Sequence, residues 1–122
     1  MAKFKGKISK FFLIVSFFIL PFGLIFAQNI IITISWGSNN SGQLGNGTSS
    51  DSVFPTQVLN LSDAVAVSAG YSHSLCLKSD GTVWAWGSNS YGELGDGTYT
   101  SKNYPVQVSS LSNVVAIVAG ES

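Results

Sequence analysis

The 122-residue chain is poor in charge, cysteine and histidine. Only 10% of its residues are charged, well below the usual quarter, and arginine is absent. Serine, threonine, asparagine and glycine therefore carry its solubility, a composition typical of turn-rich β proteins. The single cysteine, Cys76, excludes an internal disulfide, and its alternating surroundings predict a buried thiol on a strand. The single histidine, His73, would point to the opposite face of that strand, so the two do not form a nucleophile and its base.

Positive charge is concentrated at the N-terminus, where Lys3, Lys5, Lys7 and Lys10 supply four of the six cations. After residue 27, only two lysines face six acidic residues, which leaves a net charge of about −4. Such a surface repels nucleic acid and lacks a basic patch for phosphate groups. We therefore expect no nucleic-acid partner.

The N-terminus has the order of a secretory signal. Four lysines precede a 17-residue apolar run, Phe11 to Ala27, which ends on a small residue before polar Gln28. The pattern predicts a signal peptide over residues 1–27, cleavage after Ala27, and a secreted or cell-envelope protein. The alternative is an uncleaved membrane anchor, because this run is at the short limit for spanning a bilayer of roughly 30 Å. Either interpretation exports the rest of the chain, and only an uncleaved segment would touch the membrane.

A fifty-residue repeat organises the rest of the chain. Residues 36–72 and 86–122 align without gaps and are identical at about half of their positions. Both copies begin with Trp-Gly-Ser-Asn and continue into a loop of the pattern Gly-x-Leu-Gly-x-Gly-Thr. One supersecondary unit is therefore used repeatedly.

The unit consists of short strands. Alternating side chains predict strands over 64–69, 72–78 and 82–86, and a fourth strand follows Pro105 as "VQV". Ser79-Asp80-Gly81 predicts a hairpin turn in which Gly81 takes a positive φ. Four strands per fifty residues, apolar on both faces, are typical of an all-β propeller, whose blades are four-stranded antiparallel sheets.

Repeat boundaries divide residues 28–122 into an incomplete first repeat, 30–63, a second repeat, 64–113, and the start of a third, 114–122. About four to eight blades are needed to close a propeller. Fewer than two full repeats therefore predict the N-terminal part of a longer protein. The alternative is a ring assembled from several identical short chains.

The segment "AGYSHSLCLKSDGTVWAWGSNSYGELGDGT" resembles the repeat of the regulator of chromosome condensation family. The resemblance covers nearly all of residues 33–122 and implies a seven-bladed propeller, of which about two blades are present. It also implies structural roles for the residues that define the repeat. These are blade-packing aromatics, turn glycines and an interior hydrogen-bonding histidine: Trp36 and Trp86; Gly42, Gly45, Gly92 and Gly95; and His73.

Function in this family lies in variable loops on the rims, so the resemblance implies a non-enzymatic scaffold for a protein or cell-surface ligand. Nuclear members activate a small GTPase, but export and an acidic surface argue against nucleotide exchange here, and exported bacterial relatives are the nearer analogy. Tyr91 and Tyr99 have no aromatic counterpart in the first repeat and are the predicted partner contacts. Phe54 and Tyr104, each before a proline, are expected to pack within their blades.

Other chemistries find little support in the residues. The glycine-rich loops lack the lysine and the following helix of a phosphate site. Calcium would find one carboxylate per loop, at Asp96, where several oxygen ligands are needed. A carbohydrate-active enzyme, the alternative function, would need paired carboxylates in one cleft, and the acidic residues are scattered over turns. We therefore predict no catalytic residue, no metal and no cofactor.

Overall fold

The computed structural model describes residues 10–19 and 28–121. Within these ranges the protein is all-β, as predicted, and no helix is long and apolar enough to cross a membrane. In the described part of the chain, seven strands form two antiparallel sheets. They are β1 (Lys10–Ile19), β2 (Gln28–Gly37), β3 (Ser52–Gln57), β4 (Ala64–Ala69), β5 (His73–Lys78), β6 (Val83–Gly87) and β7 (Lys102–Gln107).

The second sheet is a complete four-stranded blade with the order β4-β5-β6-β7. Its first strand has the predicted bounds, and the next two begin one residue later than predicted. The hairpin between β5 and β6 is also confirmed. Gly81 has a φ of +80°, and its N–H donates to Lys78 O at 3.0 Å. Glycine is suited to this position because a Cβ is strained at positive φ.

The fourth strand differs from its prediction, because β7 begins at Lys102 and contains Pro105 in place of starting after it. Pro55 occupies the matching position inside β3. Both strands lie at the edge of their sheets, where an outward-facing backbone position has no partner strand. Proline is tolerated there because its missing N–H leaves no ladder hydrogen bond unmade.

The first sheet has the order β1-β2-β3 and reproduces the second in its register. Ile34 of β2 pairs with Gln57 of β3, as Trp84 of β6 pairs with Gln107 of β7. Both pairings are irregular at the same place in the repeat, just before Gly37 and Gly87. The fifty-residue repeat in sequence is therefore a repeat in strand pairing.

Strand β1 occupies beside β2 the position that β5 occupies beside β6. Phe11 pairs with Trp36 in the register in which Ser74 pairs with Trp86. This strand belongs to the segment predicted as a signal peptide, of which residues 1–9 and 20–27 lie outside the described residues. Cleavage after Ala27 stays a prediction.

The connections after β3 and β7 share an unusual backbone. Asn60 and Ser110 have φ values of +50° and +58°, and Asp63 and Asn113 have values of +58° and +55°. Asparagine and aspartate enter this left-handed region more readily than other residues with a Cβ. Equivalent residues thus direct the chain out of each blade in the same way.

The hydrophobic core lies between the two sheets. It joins Val58 and Leu61, which follow β3, to three residues of the second repeat: Ala64, Cys76 and Trp86. Cys76 is a free, fully buried thiol, as predicted. Burial raises the pKa of Cys76 to about 12, although the Lys78 ammonium acts in the opposite direction. The thiol therefore packs as a small apolar group.

Candidate binding rim

Two glycine-rich loops lie at the same end of the two sheets. Loop 1 (residues 38–51) joins β2 to β3, and loop 2 (residues 88–101) joins β6 to β7. The turn 70–72 between β4 and β5 lies at this end as well, and Ser88 N donates to Ser72 O at 2.8 Å. We call the surface formed by these three segments the rim.

Loop 1 is built around Asn39, whose side chain is fully buried. Its Oδ1 accepts a hydrogen bond from Leu44 N at 2.9 Å. Its Nδ2 donates to the backbone oxygens of Thr48 and Ser50, both at 3.0 Å. The Asn39 N–H itself donates to Asp51 Oδ1 at 2.7 Å. One carboxamide therefore links the two sides of the loop, because it bonds backbone groups on both.

Loop 2 has the same set of hydrogen bonds, which we call the frame of the loop, around Asn89. This side chain is also fully buried. Its Oδ1 accepts from Leu94 N at 3.0 Å, and its Nδ2 donates to Thr98 O at 2.9 Å and Thr100 O at 3.2 Å. Buried polar groups are stable only when hydrogen-bonded, and both asparagines meet this requirement within their own loops. The rim is therefore shaped by the loops themselves.

A second acceptor in each loop binds a threonine. Both the N–H and the Oγ1 of Thr98 donate to Asp96 Oδ1, at 2.9 and 2.7 Å, and hold the pKa of this carboxyl below its ordinary value. In loop 1, Thr48 makes the same two bonds to Asn46 Oδ1, at 3.1 and 2.9 Å. The uncharged amide of Asn46 thus accepts the same two hydrogen bonds as the carboxylate of Asp96. Across residues 10–19 and 28–121, no group of three His, Cys, Asp or Glu residues could hold a metal ion.

The glycines predicted as turn residues all have a positive φ: Gly42 at +80°, Gly45 at +66°, Gly92 at +85° and Gly95 at +58°. Gly45 is further constrained by the neighbouring blade. A Cβ at this position would lie 2.7 Å from Trp86 Nε1 and 2.9 Å from Trp86 Cδ1. The close approach of loop 1 to β6 therefore requires glycine.

Hydrogen bonds between loop 1 and the second blade connect the two blades along their boundary, which we call the seam. Gln43 O accepts from Ser74 Oγ and from Trp86 Nε1, both at 2.8 Å and both buried. Gly47 N donates to Asn103 O at 2.8 Å, and Asn103 Nδ2 donates to Gly47 O at 3.0 Å. Loop 1 is thus attached to the middle and to the outer strand of the second blade.

The other two residues with predicted structural roles lie at the ends of β2 and β5 that adjoin the rim. Trp36 is half-buried, and His73 is 6% exposed beside Gly70. His73 also borders a hollow that contains Glu93 and Gly120. Burial raises the pKa of Glu93, but hydrogen bonds from the N–H groups of Glu93 and Tyr91 outweigh it and lower the pKa overall. The interior hydrogen-bonding role of His73 stays a prediction.

Three tyrosines project from the rim of the second blade. Tyr91 and Tyr99 on loop 2 are 82% and 77% exposed, and Tyr71 on the turn is 71% exposed. The Tyr99 ring lies 3.6 Å from the Cβ position of Gly92, so the two loop tyrosines flank one glycine. Loop 1 carries serines where loop 2 carries these two rings.

The expectation that Phe54 and Tyr104 pack within their blades is wrong. Phe54 is 75% exposed and Tyr104 is 47% exposed. They lie on β3 and β7, the outer strands, most of whose side chains remain accessible, whereas the inner strands β5 and β6 are largely buried. Neighbouring sheets cover the middle of a blade better than its outer edge.

Sequence reasoning missed Asn39 and Asn89 as the centres of the loops, Gln43 as the acceptor at the seam, and Tyr71 as a third rim tyrosine. A signal existed for the asparagines, which recur fifty residues apart in the repeated Trp-Gly-Ser-Asn sequence. The Gln43 contact uses a backbone carbonyl, which any residue supplies, so its identity gives no sequence signal.

Residues 34–77 and 80–122 match the regulator of chromosome condensation (RCC1) repeat, and residues 64–93 match a second description of the same repeat. The chain belongs to this family. The sequence resemblance is confirmed, and the two sheets are blades of an RCC1-type β-propeller.

Solved RCC1 propellers have the same fold. Prp20p of Saccharomyces cerevisiae superposes with a TM-score of 0.66 at 17% identity, over 84% of this chain and 31% of Prp20p. Human WBSCR16 gives 0.55 at 27% identity, over 65% of this chain and 23% of its own. Yeast RCC1 (Prp20) bound to Kap60 gives 0.57 at 22% identity, over 75% and 23%. The chain spans less than a third of each of these structures.

Proposed function

We propose that the chain is part of an exported, non-enzymatic RCC1-repeat propeller that binds a protein partner through its rim. The observation that carries the proposal is the exposure of Tyr71, Tyr91 and Tyr99 together at one end of one blade. Tyrosine offers a large, rigid contact area at a low entropic cost and is enriched at interfaces. Loop 2 is ordered by its buried asparagine before any partner arrives, which lowers the cost of binding.

Two of the structural neighbours are described with protein partners. Prp20p was studied for its binding to Gsp1p and histones, and the yeast RCC1 structure contains Kap60. These partners were described for those proteins. Sequence identities of 17% and 22% are too low to assign the same partners to this chain. They support the general use of an RCC1 propeller as a protein-binding surface.

The chemistry of the described side chains supports a non-enzymatic role. The Cys76 thiol is buried, with its pKa raised to about 12, so it is not a nucleophile near neutral pH. Asp80 accepts hydrogen bonds from Thr82 Oγ1 and N, at 2.6 and 3.0 Å, and Asp96 is held by Thr98 in the same way. These bonds lower the pKa of both carboxyls, whereas a general acid needs a pKa near the working pH.

Membership of a longer propeller is supported by the second blade. The core between the blades buries three residues against Trp86: Val58, Leu61 and Ala64. Their counterparts fifty residues later border an open, largely apolar hollow of about 340 Å³: Val108, Leu111 and Val114. A third blade that supplied a counterpart of Trp86 would fill this hollow. The gene beyond Ser122 should therefore encode further fifty-residue repeats, and their absence would overturn this part of the proposal.

Export is proposed from the N-terminal lysines and the apolar run. Strand β1 lies within this segment, so cleavage after Ala27 would remove it and leave the edge of β2 open to another strand. N-terminal sequencing of the protein recovered outside the cell should give Gln28 as the first residue. An intact N-terminus would favour the membrane anchor, and retention in the cytosol would contradict export.

Partner binding is tested with the double substitution Y91S/Y99S, which installs the serines of loop 1. Proteins crosslinked to the purified chain at the surface of producing cells are identified, produced separately and measured by calorimetry. We expect Y91S/Y99S to weaken binding by about tenfold or more, as for the loss of interface hot spots. The control F54S removes an equally exposed ring from β3 and should leave affinity unchanged. Wild-type affinity in Y91S/Y99S, or no binding by any purified candidate, would refute the proposal.

A further inference from the structure

A polar groove crosses the seam between the two blades within the rim. Its volume is about 470 Å³. Small-molecule sites have volumes of roughly 300–1,000 Å³, so the groove is large enough for such a ligand. Loop 1 forms one wall, and loop 2 with the start of β7 forms the other. The lining residues that matter here are Asn40, Ser41, Ser49, Ser90, Lys102 and Tyr104.

The groove is preformed, because hydrogen bonds hold its two walls at a set distance. Asn103 exchanges two of them with Gly47, at 2.8 and 3.0 Å. Gly42 packs so closely on the second blade that a Cβ there would lie 2.6 Å from Asn103 Cα. A ligand would therefore meet a rigid site, and little binding energy would be lost in ordering it.

The lining has free hydrogen-bonding capacity. Among the described residues, the side chains of Asn40, Ser49 and Ser90 make no hydrogen bond within the protein, and all three are exposed. Hydroxyl and carboxamide groups both donate and accept. The groove thus presents neutral polar groups that can bond the hydroxyl groups of a sugar chain.

The positive charge and the aromatic ring in the lining narrow the class of ligand that fits the groove. Lys102 brings an ammonium to the groove, and no carboxylate lines it. Asp96 is near Lys102, but its Oδ1 accepts two hydrogen bonds from Thr98. Of the groups that lower the pKa of Asp96, Thr98 acts most and Lys102 least. Tyr104 adds a half-exposed ring on which the C–H face of a sugar can stack. The lining contains no aliphatic side chain, so it offers no pocket for the apolar anchors on which peptide recognition depends.

From this combination we propose that the groove binds an acidic oligosaccharide of the uronic acid type. Its carboxylate pairs with the Lys102 ammonium, one ring stacks on Tyr104, and its hydroxyl groups bond the serine and asparagine side chains. This site is separate from the three rim tyrosines, so it stands or falls independently of the proposed protein partner.

The test uses calorimetry on the whole chain with three hexamers: hexagalacturonate, the neutral maltohexaose and hexaglutamate. We expect hexagalacturonate to bind most tightly and to weaken with added salt, since an exposed ion pair is screened. K102Q should reduce its affinity by about tenfold or more, because a charge-assisted bond is lost. The matched control is K78Q, which removes a lysine at the far end of β5, where its ammonium lies 5.3 Å from the Trp84 ring centroid.

Outcomes divide clearly. Loss of binding in K102Q with full binding in K78Q and Y91S/Y99S supports the proposal. Equal binding of hexaglutamate would show an acidic-peptide or charge-only site and would overturn it, as would no binding of hexagalacturonate at millimolar concentration. If K102Q fails to fold, S90D provides the second variant, since a carboxylate in the groove should abolish binding of hexagalacturonate. Unchanged binding in S90D would refute the proposal.

Discussion

The frame of loop 1 is tested most sharply by exchanging Asn39 for aspartate. N39D keeps the shape of the side chain but replaces the Nδ2 donor with an oxygen that faces Thr48 O and Ser50 O, each 3.0 Å away. Two hydrogen bonds become repulsive contacts at a fully buried position. Each carbonyl left unpaired costs about 1–3 kcal/mol, and the lower end applies because Thr48 and Ser50 are reached by water. We expect N39D to lower the free energy of unfolding by roughly 2–4 kcal/mol.

The matched control is N46D in the same loop. Asn46 uses its Oδ1 as an acceptor for Thr48, and loop 2 has Asp96 in this role with the same two bonds. The exchange therefore preserves the acceptor. The one bond that N46D loses, from Asn46 Nδ2 to Thr56 Oγ1, is long at 3.4 Å. We therefore expect a change of within about 0.5 kcal/mol.

The pH dependence of the stability of N39D gives a second test of the role of the Asn39 side chain. Burial and the facing oxygens raise the pKa of the carboxyl introduced by N39D above its value in the unfolded chain. A carboxyl with a raised pKa destabilises the folded state when it is ionised, so the deficit is complete above the folded pKa. This electrostatic part of the deficit shrinks as the pH falls and is absent below the unfolded value of about 4. A protonated carboxyl can also donate to one of the two carbonyls.

Urea denaturation at pH 7 and pH 4, followed by tryptophan fluorescence, measures both effects. N39D should lie well below wild type at pH 7 and much closer to it at pH 4, whereas N46D should follow wild type at both. Equal stabilities of N39D and N46D at pH 7 would refute the central role of the buried carboxamide. A deficit in N39D that did not change with pH would refute its electrostatic cause.

Three further predictions concern other parts of the frame. G45A should destabilise the protein by roughly 1–3 kcal/mol more than G97A, because both have a positive φ but only the Gly45 Cβ would meet Trp86, while nothing lies within 4 Å at Gly97; equal urea midpoints would contradict this. Because burial raises the pKa of Cys76 to about 12, a disulfide reagent at pH 8 should label it only after denaturation, and fast labelling of the native protein would contradict its burial. Asp96 has a lowered pKa, so its stabilising effect is present above its ordinary value of 3.8 and is lost as the pH falls through the lowered value. D96N should remove this part of the acid dependence, and an acid-denaturation profile identical to that of wild type would show that it contributes nothing.

Local signals made much of the second blade predictable. Valine alternates with small residues over β4, and aspartate followed by glycine marks the hairpin after β5. These features act over a few residues, so a single sequence contains them. The repeat added longer-range information, because two segments with the same residue pattern are expected to fold in the same way.

Other features depend on residues that are far apart in the sequence, so local patterns did not predict them. The pairing of β1 with β2 could not be read from an apolar run that also fits a signal peptide. The roles of Asn39 and Asn89 depend on backbone groups up to eleven residues away. The exposure of Phe54 and Tyr104 depends on how far a neighbouring sheet extends, and alternation along one strand does not contain that information.

The two repeats separate the residues that build the frame from those that can vary. Asn39 and Asn89, which are identical in the two repeats, are buried and hydrogen-bonded within the loops. Where the repeats differ at the rim, the side chains are largely exposed, and the second repeat has Tyr91 in place of Ser41. The seam groove extends this principle, because its walls come from two different repeats. The two walls of this groove therefore carry differing residues from two repeats on a frame that the repeats share.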